Sequence, residues 1–169
     1  MTDTFAEQLV KKSQNSSDSM KKVLVLAGGG VIVALLLYVS FFITPFALLL
    51  VAGAIYVLYM LVIGLNIEYE YTVTNGSLDI DKIIAKRKRV SMISVDVKDF
   101  TAFGNFEDSD DDFSGTTILT TGIDKVDEVE KPPYYADFNH ESYGKVRLVF
   151  SPDEKVLECI KPYLPRNLK

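Results

Sequence analysis

The side chains in this 169-residue sequence that could do chemistry are few and scattered. His140 is the only histidine and Cys159 the only cysteine, so neither a multi-histidine metal site nor a cysteine cluster can be assembled. A lone cysteine also cannot make an internal disulfide, in keeping with a reducing compartment. Cys159 falls at the edge of the apolar face of a C-terminal helix, the place of a small core residue. His140, beside Glu141, falls in an exposed turn. The chain has no GxxxxGKS or GxxxxGKT phosphate loop, no HExxH and no GxSxG. Its many carboxylates offer pairs for acid–base work, but nothing in their spacing selects one. These residues predict no enzyme, no cofactor and no resident metal.

Two charged runs remain. Asp110, Asp112, Ser114 and Gly115 match positions 1, 3, 5 and 6 of a calcium loop, but the twelfth position is Thr121 where a bidentate glutamate is required. The acidic stretch 107–112 therefore reads as a solvated loop. Lys86, Arg87, Lys88 and Arg89 are four consecutive bases, each worth about 1 kcal/mol when held near an anionic membrane surface. They are the candidate contacts for lipid headgroups or for a protein partner. The plainer alternative is a solvated hairpin end that also sets membrane topology.

The elements that position these residues follow from one feature. From Val23 to Ile67 no residue is charged. A single helix through those roughly 45 positions would reach near 65 Å, about twice the bilayer core. Thr44-Pro45 breaks the run, because proline removes a backbone donor and disfavours helix in the residue before it. Two spans are expected, about 23–43 and 46–65, as a transmembrane helical hairpin occupying 21–65. Lys11, Lys12, Lys21 and Lys22 precede it and Lys82 with the 86–89 run follows, whereas the connecting turn has no base. The positive-inside rule then puts both termini in the cytoplasm of a multi-pass cell-membrane protein. Two readings compete: a secretory signal peptide, whose apolar stretch would be far too long and begin late, and a buried hairpin in a soluble protein, for which too little chain remains to wrap two helices apolar on every face. Gly28, Gly29, Gly30 and Ala34 in the first span, with Ala47, Gly53 and Ala54 in the second, are the small residues at which helices could pack, or at which a second copy could dock. With no ionisable residue inside either span, a pore or pump is not expected.

Flanking the hairpin are a short cytoplasmic segment, 1–20, and a domain, 66–169. In the first, Thr4 and Glu7 fit a capping box opening a short amphipathic helix through Phe5, Ala6, Leu9 and Val10. The second carries 20 acids against 14 bases, part of a net charge of −5, which excludes a nucleic-acid surface. Ile67, Tyr69, Tyr71 and Val73 alternate with Glu68, Glu70, Thr72 and Thr74, a half-buried strand. Asn75-Gly76 follows, the preferred pair for a type I′ hairpin turn, and the strand returns through Leu78, Ile80 and Ile84. Further strands are expected near Val90, from Val95 and Val97 to near Phe103, and over 116–121, 134–139 and 145–150. The loops 104–115 and 124–133 separate them. Ser151, Pro152 and Glu154 combine an N-cap, a first-turn proline and a capping-box acid. Val156, Leu157, Ile160, Tyr163 and Leu164 then fall on one helix face, ended by Pro162 and Pro165. About seven antiparallel strands closed by one C-terminal α-helix are expected.

This order resembles the pleckstrin-homology-like domains of bacterial membrane proteins. The residues that carry it are Tyr71-Thr-Val-Thr-Asn-Gly-Ser-Leu-Asp-Ile, Lys88-Arg-Val-Ser-Met-Ile-Ser-Val-Asp-Val with its inward Ile93, and Lys145-Val-Arg-Leu-Val-Phe-Ser-Pro-Asp-Glu. Two spans before such a domain also resemble a group of small membrane proteins of clostridial-type bacteria. The resemblance implies a mainly-β fold and no particular activity. Lipid-binding pleckstrin domains place their bases in the loop joining the first two strands, here only Asn75-Gly76, so the familiar phosphoinositide site is not implied. The function expected is a membrane-held interaction module for a protein partner or for self-association; the alternative is an anionic-lipid sensor using 86–89.

Overall fold

A computed structural model describes residues 4–12, 16–43, 47–108, 115–122 and 133–168. It divides into two compact units, one of residues 1–13 with 67–169 and the other of 14–66. The expected boundaries at 20 and 65 are thus replaced by an interrupted domain, in which the N-terminal segment belongs with the C-terminal one.

The interruption is explained by strand β1, Phe5–Lys11. The expected capping-box helix is not formed. Residues 5–11 pair antiparallel with β2, Ile67–Thr74, from Phe5 opposite Thr74 to Lys11 opposite Glu68. Thr4 serves this sheet: its N–H donates to Asn75 Oδ1 at 3.1 Å, and its hydroxyl lies 2.8 Å from the Tyr163 hydroxyl. An isolated helix this short is marginal, whereas a strand with Ala6 and Val10 on one face has a core to cover.

Strands β2, β3 (Ser77–Ile84) and β4 (Lys88–Asp96) complete a four-stranded sheet in the order β1-β2-β3-β4. The Asn75-Gly76 turn forms as expected, with φ of 50° and 88°. A Cβ on Gly76 would also lie 2.5 Å from the Tyr163 ring, so two constraints select glycine there. β4 runs unbroken where two separate strands were expected. A bulge between the Ile80–Ile93 and Asp81–Ser91 pairs leaves Met92 unpaired and reverses the alternation. Arg89 and Ser91 precede that reversal; Ile93 and Val95 follow it facing the core.

A 3-10 turn, Val97–Asp99, leads to the second sheet. This contains β5 (Ala102–Asn105), β6 (Thr117–Thr120), β7 (Tyr134–His140) and β8 (Gly144–Phe150), in the order β5-β7-β8-β6. Phe103 belongs to β5 and not to the end of the preceding strand. β6 lies parallel to β8, so the sheet is mixed and the all-antiparallel expectation is corrected. Eight strands are found among the described residues, one more than expected, and the extra one is β1.

The two sheets enclose a core centred on Tyr71, Leu78, Ile80, Phe138, Leu148 and Phe150. Helix α3, Glu154–Ile160, closes it with Val156 and Ile160, and a 3-10 turn follows at Lys161–Tyr163. The N-cap is Asp153 and not Ser151: Asp153 Oδ1 accepts from the Val156 N–H at 2.8 Å. Gln8 of β1 fixes this start. Its amide donates to Ser151 O at 3.0 Å and accepts from the Asp153 N–H at 2.7 Å.

The second unit is a pair of packed helices, α1 (Ser16–Ile43) and α2 (Ala47–Gly64). Among the described residues one helix, over 16–42, is long and apolar enough to cross a membrane by length and composition; the apolar stretch of α2, Leu48–Gly64, is shorter. Covered positions form a seam, Val25, Gly29, Val33 and Leu36 on α1 with the buried Val51 and the partly covered Ala54, Leu58 and Val62 on α2. Gly29 meets Leu58 directly, while a Cβ on Gly28, Gly30 or Gly53 would meet nothing within 4 Å. Among the small residues expected to pack the helices, Gly29 and Ala54 therefore do so. Gly28, Gly30, Ala34 and Gly53 face outward, because only every third or fourth residue shares a helix face.

Candidate functional site

The basic run lies on the β3–β4 hairpin. Ile84 pairs with Lys88, and the Arg87 N–H donates to Ile84 O at 3.1 Å to close the turn. Ala85 and Lys86 both take positive φ, 56° each. Two successive left-handed residues without glycine or asparagine cost roughly 1–2 kcal/mol each. The hairpin is thus held by its strands against a local preference, and no glycine in the sequence announces the turn. Its tip presents Lys86, Arg87 and Lys88, all solvent-facing.

Register determines what stands beside this tip. Ile67 pairs with Ile84, and the Lys12 N–H donates to Ile67 O at 3.1 Å. Lys12 and Ile67 are the residues at which the chain leaves this sheet for the helices and returns from them. The exposed Lys11 also lies at that end, opposite Glu68. One end of the sheet therefore gathers Lys11, Lys86, Arg87 and Lys88. The opposite end holds the Asn75-Gly76 turn and Thr4.

Arg89 is different from its three neighbours. Its guanidinium reaches Glu70 through two contacts, Nη1 to Oε2 at 2.6 Å and Nη2 to Oε1 at 2.9 Å. The Glu70 side chain is only 4% exposed. Burial and a hydrogen bond with Glu7 hold its carboxyl above the ordinary glutamate range, and the Arg89 charge opposes that rise. The four expected bases are thus all exposed, and Arg89 differs in being paired with the covered Glu70 carboxylate. Alternation alone placed Glu70 on a solvated face; β1 pairing on the far side of β2, together with Arg89, covers it.

A second, partly buried ion pair escaped the sequence. Arg147 of β8 faces Asp137 of β7, with Nε to Oδ1 at 2.7 Å and Nη2 to Oδ2 at 2.6 Å, and its guanidinium lies 4.9 Å from the Tyr135 ring centroid. The pair borders a cleft of about 290 Å³ that Thr101, Thr116 and Lys145 also line. Its charges neutralise each other, which makes it a structural element of the sheet.

The remaining candidates stay apart. Cys159 is partly covered against the core, as expected for a small packing residue. His140 ends β7, half-buried and not in an exposed turn; its Nδ1 accepts from the Ser142 N–H at 3.2 Å. No group of three His, Cys, Asp or Glu side chains with metal-binding geometry occurs among the described residues. Asp110, Asp112 and Ser114 lie outside those residues.

A family comparison covers the chain almost from end to end. The family described as "Bacterial PH-like domain (DUF6106)" matches residues 2–169. The chain belongs to this family. The match takes in β1, the helix pair and the long C-terminal part, and the compact unit that joins residues 1–13 to 67–169 lies on both sides of that pair. No curated protein and no solved structure matches the chain.

Proposed function

We propose that this PH-like chain is a non-enzymatic integral membrane protein whose helix pair holds an interaction module against the cytoplasmic leaflet, for a protein partner or for self-association. The observation that carries this reading is the interruption of the domain. β1 and β2 are neighbours in one sheet, and the chain between them is the apolar helix pair. A domain threaded in this way cannot separate from its anchor by cleavage of a leader, because removing residues through α1 would also remove β1. That favours an anchor over a signal sequence. α1 supports one span, being long and apolar enough by length and composition to cross a membrane. α2, at 18 residues, would rise about 27 Å, close to the ~30 Å core. Bases on both flanks of the pair and none in the sequence between the two helices favour cytoplasmic termini. The test is protease protection in sealed inverted and right-side-out vesicles carrying the full chain. Digestion of both termini from the cytoplasmic face only is expected; digestion of either from the outer face would sink the topology.

The basic end of the sheet favours a second reading, contact with anionic headgroups. Lys86, Arg87 and Lys88 stand at the sheet end to which the helices connect, since only Leu65 and Asn66 separate α2 from β2. Arg89 takes no part in it. In nanodiscs, adding phosphatidylglycerol to phosphatidylcholine should protect Lys86 and Lys88 from acylation, and salt should reverse the protection. Equal modification in both lipids would remove this reading.

A further inference from the structure

A cleft on the other side of the PH-like domain offers a partner site. Phe103 of β5, with Lys161, Pro162, Leu164 and Leu168 of the C-terminal turns, lines an apolar cavity of about 480 Å³. Behind it Phe103 stacks on Phe100 at 6.0 Å and meets Tyr134 at 5.6 Å, so the apolar wall is backed by a packed aromatic cluster. Among the described residues β5 is the edge of its sheet. The Phe106 N–H donates to Pro133 O at 2.7 Å, and Gly104, two residues earlier, stands opposite Tyr135. Antiparallel pairs alternate between bonded and non-bonded, so Gly104 turns its backbone groups towards β7. The backbone N–H and C=O groups of Phe103 and Asn105 point the other way, to the open edge. Phe103 thus belongs both to the cleft and to that hydrogen-bonding edge.

We infer that the β5 edge and the Phe103–Leu168 cleft bind an extended, acidic and apolar peptide segment of a partner protein, which adds to β5 as a strand and inserts an apolar side chain into the cleft. This rests on the reading of the chain as an interaction module and names the chemistry of its partner. Three features choose the occupant. Open backbone groups select a polypeptide in extended form. The apolar lining selects a large apolar side chain. The charge selects an acidic sequence: among the described residues Lys161 is the charged one lining the cleft, Arg166 is exposed one turn later, and beyond Glu158 residues 159–169 contain three bases and no acid in a chain of net charge −5.

The test uses the full chain in phosphatidylcholine nanodiscs and fluorescent synthetic nonapeptides in which glutamate alternates with valine and phenylalanine, with lysine-for-glutamate peptides as the control. Anisotropy should show the glutamate peptide binding at least about tenfold tighter than the lysine peptide. Lys161→Glu should remove that preference. Asn105→Pro, which deletes an outward donor and leaves the β7 ladder intact, should weaken binding about tenfold with an unchanged thermal midpoint. If Asn105→Pro lowers the midpoint, Leu168→Glu near the C-terminus supplies the same test from the cleft side. Equal affinity for both peptides, or affinity indifferent to Lys161→Glu and Leu168→Glu, overturns the proposal. A doubled mass by light scattering without peptide, abolished by Lys161→Glu, would give the cleft to a second copy and overturn it too. Release of the chain from membranes with peptide binding intact would instead fail the anchoring reading alone.

Discussion

Arg89 holds the covered carboxylate of Glu70 at two points, across the intervening strand β3, with oxygen–nitrogen separations of 2.6 and 2.9 Å. Because Arg89 itself is 62% exposed, solvent screens the pair, and its loss is worth less than that of a fully buried one. Arg89→Ala should destabilise the domain by about 1–2 kcal/mol in chemical denaturation, more than Arg87→Ala, which should be near neutral. Glu70→Gln should alter the pH dependence. The raised Glu70 pKa means the folded state binds the extra proton, so stability falls as pH rises from the ordinary glutamate range through the raised value. Denaturation midpoints measured across that window should flatten in Glu70→Gln; an unchanged slope would contradict this role.

β1 makes the domain discontinuous, and truncation should expose that. Residues 67–169 alone lack the strand that covers one side of β2 and lose the Gln8 bridge to Ser151 and Asp153. They should be partly unfolded or aggregated by circular dichroism and light scattering, since an unpaired β2 presents a long open edge. Joining residues 1–12 to 67–169 by a short Gly-Ser turn should restore a cooperative fold, because the Lys12 N–H already bonds to Ile67 O.

Gly29 is a small residue at the α1–α2 contact, where it meets Leu58. Gly29→Leu would drive a side chain into Leu58 and should weaken the α1–α2 pair by about 1–3 kcal/mol, whereas Gly28→Leu should be tolerated. A cysteine pair across the helices, with crosslinking yield as the readout, separates the two variants. Equal yields would show that the pair does not pack through Gly29.

Tyr71 reports on the core through alkaline pH. Its hydroxyl donates to Thr121 O at 2.9 Å inside the domain, and burial pushes its pKa up to about 12. The unfolded chain ionises first, near 10, so stability should fall between about pH 10 and 12 by roughly 2–3 kcal/mol. Tyr71→Phe should lose that dependence while costing about 1–2 kcal/mol at neutral pH, from the unpaired Thr121 carbonyl. Absorbance titration of the tyrosines alongside thermal melts checks both.

Local signals in the sequence identify the local elements well. The strand alternation from Ile67, the Asn75-Gly76 turn, the strands at 117–120, 134–140 and 144–150, and the closing helix all carry their own patterns. What the patterns miss is long-range. Thr4 and Glu7 satisfy a helix rule, yet Phe5–Lys11 becomes a strand because β2, more than fifty residues later, offers it an edge. The Met92 bulge breaks one strand's alternation into two apparent ones. The parallel β6–β8 pairing leaves no mark in either segment. At the candidate site the four bases are evident by composition, but the withdrawal of Arg89 to Glu70 depends on register across three strands. The open edge of β5 likewise depends on which strand lies beside it.

The most direct measurement of the proposal that the helix pair anchors the interrupted domain in a membrane compares two chains by alkaline carbonate extraction of bacterial membranes: the full protein, and the version with residues 1–12 joined to 67–169. The full protein should stay in the membrane pellet after extraction, while the joined version should be folded and soluble. Release of the full protein by carbonate, or retention of the joined version in the pellet, would contradict a helix pair inserted into the PH-like domain as its anchor.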